Sequence, residues 1–319
     1  MQRGDGVDYI EREKLSTKSS IISIIVNTLL ALFKILIGFF TNSMAILADG
    51  LDTATDILTS FMTLIAGKIS NKPPDVEHPY GHERAETIAT KVVSLIIIYA
   101  GFEVLISSIK RLINKDIIID NVVYVIAIAS ISVISKFLLY KYRLSIGKKI
   151  NSNAIIADAL NMRNDILTSS SVLIGMFVLY FTGIWWLDSI IAILVSFMIL
   201  KTGFEQFMES SNEFMESSPE LKEIYNIVIN EAKSCNCVKN PHKIRARKFG
   251  YKIFVDMHIE LPPDMTVKEA NDITAKLEEK IKEKNNSIRD IVIHIEPYGN
   301  AEKECFGINS DNIKDLKGE

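Results

Sequence analysis

Apolar residues fill positions 20 to about 203 of this 319-residue chain, and charges concentrate after about 209. In the apolar part, runs rich in Ile, Leu, Val and Phe cover residues 21–40, 44–66, 87–108, 122–140, 154–180 and 187–201. A helix needs roughly 20 such residues to cross the ~30 Å hydrocarbon core, so the pattern predicts six transmembrane helices. The turn closing the first run carries no Lys or Arg, and neither does the FTGIWW turn at 181–186, so both are assigned to the outer side. The 67–83 connection, with Lys68 and Lys72, and the fourth-to-fifth connection, with Lys141, Arg143, Lys148 and Lys149, are assigned to the inner side. Lys110, Arg111 and Lys115 run against this orientation but are outnumbered. Six spans then leave both termini cytosolic.

Beyond residue 203 the periodicity changes. Residues 219–234 read as an amphipathic helix opened by Pro219, and 243–249 and 252–261 as strands joined at Gly250. Thr266 is placed to cap a helix running to Lys284, and 290–296 alternates as a third strand. The expected architecture is an α-helical membrane protein with a C-terminal α+β domain of αββαβ order. Its parts are a cytosolic lead-in at 1–18, a membrane domain at 19–208, the cytosolic domain at 209–298 and a polar, flexible tail at 299–319. A unit of about 80 residues is small for independent stability, which favours pairing with a second copy in a homodimer.

Composition agrees with this segregation. The chain is 48% hydrophobic with mean hydropathy +0.19, yet 24% charged. A net charge of -3 says little about partners, and with no basic cluster interleaved with aromatics nothing points to a nucleic-acid face. The absence of a G-x-x-x-x-G-K-[S/T] motif excludes nucleotide as the energy source. Cys235, Cys237 and Cys305 all fall in the polar part and read as reduced thiols; a bare C-x-C is weak evidence for a metal.

The strongest chemical signal is a repeat inside the apolar region. Residues 48–60 read ADGLDTATDILTS and residues 157–169 read ADALNMRNDILTS. Ionisable residues at such depth are costly and call for a function. On helices, Asp49, Asp52 and Asp56 share one face, and Asp158, Asn161 and Asp165 another, so two facing stripes would form a cation site in the lipid bilayer. At 1.5 Å per residue, Asp52 and Asp56 lie about 13 and 20 Å from the outer end of their helix, and Asn161 and Asp165 about 10 and 17 Å from the inner end of theirs. Both pairs thus fall near the membrane midplane, with Asp49 and Asp158 a turn nearer opposite surfaces, where they would serve outer and inner access paths. The repeat is similar to the internal symmetry with which transporters build midplane sites.

The five histidines fall in two places. Asp75, His78 and His82 in the inner loop supply a carboxylate and two imidazoles at close spacing, a set that suits zinc and other divalent metals. His242, His258 and His294 mark the start, middle and end of the three predicted strands, and Glu296 shares a face with His294.

SMAILADGLDTATD (43–56), HPYGHERAE (78–86), ADALNMRND (157–165) and IHIEP (293–297) together resemble the cation diffusion facilitators, six-span metal–proton antiporters with a metallochaperone-like cytosolic domain. The resemblance spans about residues 16–298. It implies a transport site of Asp52, Asp56, Asn161 and Asp165, a second metal site at Asp75, His78 and His82, and regulatory ligands at His242, His258, His294 and Glu296. It also implies an inter-domain charge pair between Arg84 and Glu216. Two positions depart from the family pattern. Asn161 stands where zinc and cadmium exporters have His, and Asn271 stands where some members supply a further cytosolic ligand. An all-oxygen membrane set suits Mn²⁺ first, Fe²⁺ second and Zn²⁺ or Cd²⁺ third. The expected protein is a proton-coupled Mn²⁺ exporter in a bacterial plasma membrane, not an enzyme. The rivals are a zinc or cadmium exporter of the same build and a non-transporting metal-sensing subunit.

Overall fold

The computed structural model describes residues 9–115, 119–150, 152–217, 221–250, 252–299, 306–309 and 312–315. Residues 1–8, Pro219 and Cys305 lie outside them. Six long helices come first: α1 (Tyr9–Phe40), α2 (Met44–Ser70), α3 (Arg84–Asn114), α4 (Val122–Lys149), α5 (Asn153–Thr182) and α6 (Leu187–Phe214). Then follow α7 (Leu221–Ser234), β1 (Lys239–Phe249), β2 (Lys252–Leu261), α8 (Val267–Lys284) and β3 (Ile288–Pro297). Helices α1, α3, α4, α5 and α6 are long and apolar enough to cross a membrane. Helix α2 has 27 residues, but its three aspartates dilute its hydropathy. Several helices outrun their apolar stretches: α1 begins at Tyr9, inside the expected lead-in, and α6 continues to Phe214. Hydrophobicity marks the bilayer, whereas backbone hydrogen bonding carries a helix on into polar sequence.

The chain forms two compact units, residues 1–63 with 92–207, and residues 64–91 with 208–319. In the first, Ile46 and Ala48 of α2, Ile97 of α3, Ala129 of α4, Val172 and Met176 of α5 and Ile199 of α6 form a buried core. Small residues set the helix spacing: a Cβ on Gly38 would lie 2.8 Å from Leu47 N, and one on Gly50 would lie 3.0 Å from Ile35 N, so α1 and α2 touch backbone to backbone. Asp188, fully buried at the start of α6, caps α2 by accepting from Ser43 Oγ (2.6 Å), Met44 N (2.8 Å) and Ala45 N (3.2 Å). Arg111 donates to the Asn42 carbonyl at 2.7 Å. The basic residue that runs against the charge rule is therefore held at the α1–α2 turn, where it satisfies a carbonyl left over at a helix end.

In the second unit β1, β2 and β3 form a sheet in that order, β1 antiparallel and β3 parallel to β2. Val255, Met257, Ile259 and Leu261 of β2 face Leu221, Ile224 and Val228 of α7 and Leu277 and Ile281 of α8 across a buried core. The alternate residues of β2, among them Asp256, His258 and Glu260, take the opposite face. Helix α8 opens with a capping box: Thr266 Oγ1 accepts from Glu269 N, and Glu269 Oε2 accepts from Thr266 N at 2.9 Å.

Contacts tie two further segments to the soluble elements. Residues 64–91 group with the soluble elements because Glu83 pairs with Lys252, the Arg84 guanidinium lies 4.3 Å from the Phe249 ring centroid, and Tyr80 packs edge-on against Phe249 and Phe254. The tail expected to be flexible is partly docked: Ile308 exchanges backbone hydrogen bonds with Ile244, and Ile308 and Ile313 pack on the core. The side chains of Ile308 and Ile313 supply that anchor.

Candidate metal centres

The membrane set sits on α2 and α5. Ser169 Oγ of α5 donates to Asp49 Oδ1 of α2 at 2.7 Å and ties the two repeats together. Asp52 and Asp165 each stand one helical turn from that contact on the same faces of their helices. Asp52 and Asp165 are half-buried; Asp56 and Asn161 are exposed on the isolated chain. Asp52, Asp56 and Asp165 are close enough for their charges to act on one another, with Lys136 and Lys34 as the nearby opposite charges. Among the described residues these carboxylates are not one of the groups whose ligand atoms converge within 4.8 Å.

Asp49, expected on an outer access path, lies against a lysine of α1. Its carboxylate is fully buried and lies 2.7 Å from the equally buried Lys34 ammonium, so it balances a fixed charge. Asp158 is half-exposed and forms an ion pair with Arg143 at 2.9 Å. Lys34 also donates to Thr53 (3.2 Å) and Ser169 (3.5 Å), and the buried Lys136 of α4 donates to Ser169 at 3.1 Å. A lysine inside an apolar run is flagged by the same cost that flags the aspartates, so both lysines have a sequence signal. What each one meets has none.

In the loop between α2 and α3, Asp75, His78 and His82 converge within 4.8 Å. Asp75 Oδ1 accepts from the His78 backbone N–H at 2.7 Å, and His82 Nε2 lies 3.4 Å from Oδ2. The His78 N–H holds the Asp75 carboxyl below its usual range, so it stays ionised as a ligand must. Gly81 makes the return with φ +97°, a conformation that other residues resist.

The cytosolic cluster lies on the sheet. His242 pairs with His258 across β1–β2, and His258 with His294 across β2–β3, so the three form one row. His258 Nδ1 lies 2.8 Å from Glu296 Oε1 and His242 Nε2 lies 3.4 Å from Oε2; His242, His258 and Glu296 converge within 4.8 Å. His294 is 63% exposed with Nε2 4.0 Å from Glu296, so it stands at the rim of the group. Register shifts bracket His242, and Asn240 and Lys243 have positive φ (44° and 47°), so the strand kinks where the ligand is aimed. His242 Nδ1 lies 2.7 Å from the Asn240 carbonyl, which can only accept. A donor at Nδ1 satisfies that carbonyl, and Nε2 is the ring nitrogen turned toward Glu296. Asn271 is exposed on α8. Arg84 Nη2 lies 3.2 Å from Glu216 Oε1, with the side chains 40% and 44% exposed.

Membrane-spanning helices with acidic faces, followed by a small domain with its own His/Glu group, define an integral membrane protein of cation-transport type. The chain belongs to the cation efflux family: the cation efflux transmembrane domain matches residues 20–215, and the cation efflux protein cytoplasmic domain matches residues 221–298. It is 33% identical to the manganese efflux system protein MneP of Bacillus subtilis over 90% of this chain and 98% of that one. It is equally, 33%, identical to an uncharacterized transporter of Methanocaldococcus jannaschii over 88% of this chain and 97% of that one. The metal-bound C-terminal domain of the CzcD transporter from Thermotoga maritima is 35% identical over 25% of this chain and 93% of that domain, with TM-score 0.25.

Proposed function

We propose that this protein exports Mn²⁺ in exchange for protons, with Fe²⁺ the next candidate substrate. The observation that carries the reading is the oxygen-only set Asp52, Asp56, Asn161 and Asp165, since an amide in place of an imidazole favours a harder cation. Two relatives at 33% and 32% identity are manganese efflux system proteins, which supports the same choice. In this reading the ion binds the carboxylates from the cytosolic side of a bacterial plasma membrane, and protonation on the outer side weakens their hold. The protein works as a homodimer with both termini cytosolic. Metal on His242, His258 and Glu296, with His294 at the rim, biases the population of dimer arrangements; it performs no chemistry. The Asp75, His78 and His82 loop is a second metal site, and the Arg84–Glu216 pair steadies the junction of helices and sheet.

Zn²⁺ or Cd²⁺ export is the second reading, favoured by the nitrogen-rich inner-loop and sheet clusters. Metal-dependent proton flux in proteoliposomes, comparing Mn²⁺, Fe²⁺, Zn²⁺ and Cd²⁺ for the native protein and Asp56→Ala, separates them. Manganese flux that vanishes in Asp56→Ala is the expected result. Preferential zinc flux would overturn the substrate assignment, and no flux with metal still bound to the cytosolic domain would favour a sensor.

A further inference from the structure

We propose that Lys136 is the resident counter-cation of the membrane carboxylate site, a fixed positive charge against which the transported ion must bind. The inference rests on the site reading given above. The Lys136 ammonium is 4% exposed, and its hydrogen bond goes to a neutral hydroxyl, Ser169 Oγ, at 3.1 Å. Among the described residues no carboxylate makes an ion pair with it. Lys34, by contrast, meets Asp49 directly at 2.7 Å. The layer around Ser169 therefore holds two ammonium groups and one carboxylate, an excess of one positive charge.

An unbalanced buried charge is strongly unfavourable, so other carboxylates must offset it. Asp52 follows Asp49 by three residues on α2, and Asp165 precedes Ser169 by four on α5, so both lie about one turn from the layer. The acidic charges acting on Lys136 are Asp49, Asp52, Asp165 and Asp56. Three of these four are the proposed transport ligands. Lys136 makes no direct ion pair with these carboxylates among the described residues, so it offsets part of their charge without occupying their oxygens. A divalent ion entering the site is attracted by the carboxylates and repelled by Lys136, so the lysine weakens binding and favours release.

The test is equilibrium Mn²⁺ binding to the full-length purified protein, read as the component that Asp56→Ala abolishes. Lys136→Met and Lys136→Gln should each tighten that component about tenfold or more, equivalent to ~1.4 kcal/mol, and slow Mn²⁺ release. Gln keeps a hydrogen bond to Ser169, so it guards against a folding defect. Lys136→Arg, which keeps the charge, should bind within about threefold of the native protein. A merely structural lysine would alter stability on removal without tightening metal binding. Unchanged or weaker Asp56-dependent binding in folded Lys136→Met or Lys136→Gln overturns the role of Lys136 and leaves the site reading standing. Binding that Asp56→Ala does not reduce overturns both.

Discussion

Removing one member of the Lys34–Asp49 pair should be among the most damaging single changes in the membrane unit. Both side chains are 0% exposed and their charged atoms are 2.7 Å apart. At an effective dielectric near 20, that separation corresponds to about 6 kcal/mol of gross attraction, most of it offset by the cost of desolvating both groups. Breaking such a pair from one side leaves the desolvation uncompensated and costs ~3–5 kcal/mol. Asp49→Ala should fall at the upper end, because it also strips Ser169 of its acceptor and leaves Lys34 and Lys136 facing each other. Lys34→Met should fall at the lower end, because Asp49 keeps the Ser169 hydrogen bond and the field of Lys136. The double variant Lys34→Met/Asp49→Ala removes the pair together and should cost less than the sum of its parts by about 2 kcal/mol or more. Unfolding of the detergent-solubilised protein by SDS, followed by circular dichroism, measures all three. Additivity within about 0.5 kcal/mol would show that the two residues do not stabilise one another, and the reading of Asp49 as the counter-ion of Lys34 would fail.

Three further outcomes follow from the other sites. His242→Ala or Glu296→Gln should abolish metal-dependent stabilisation of the cytosolic domain, which for a site held at 100 times its Kd amounts to ~2.7 kcal/mol. His294→Ala should retain most of it, because His294 sits at the rim; thermal unfolding with and without Mn²⁺ or Zn²⁺ decides. Asn161→His should raise zinc flux relative to manganese flux in proteoliposomes, and an unchanged ratio removes the reason for choosing manganese from this position. Glu269 is held below its usual value of 4.5 by the Thr266 backbone N–H, so its contribution to α8 is present above that pH and lost as pH falls through the lowered folded value. Glu269→Gln should flatten that acid limb of the stability curve, and an unaltered slope would mean the capping box does not form in solution.

The sequence by itself determined the helices and strands, because apolar periodicity and caps are local. It also supplied the candidate groups: two oxygen-bearing faces follow from helical spacing, and a carboxylate with two imidazoles follows from an eight-residue loop. It placed β1 four residues late: the strand starts at Lys239 and takes in Asn240 and Pro241 through a kink that no local periodicity announces.

What only the tertiary structure decided was which charges meet. Asp49 shares the spacing of Asp52 and Asp56, and nothing local separates a ligand from a counter-ion. Its partners come from 15 and 120 residues away, Lys34 on α1 and Ser169 on α5, and only helix packing brings them to it. The same holds for His242, whose free nitrogen depends on a kink beside it and on a glutamate 54 residues later in β3. Periodicity fixes which face of an element a residue takes, but a charge is used according to what lies opposite that face, and this is settled when the elements pack.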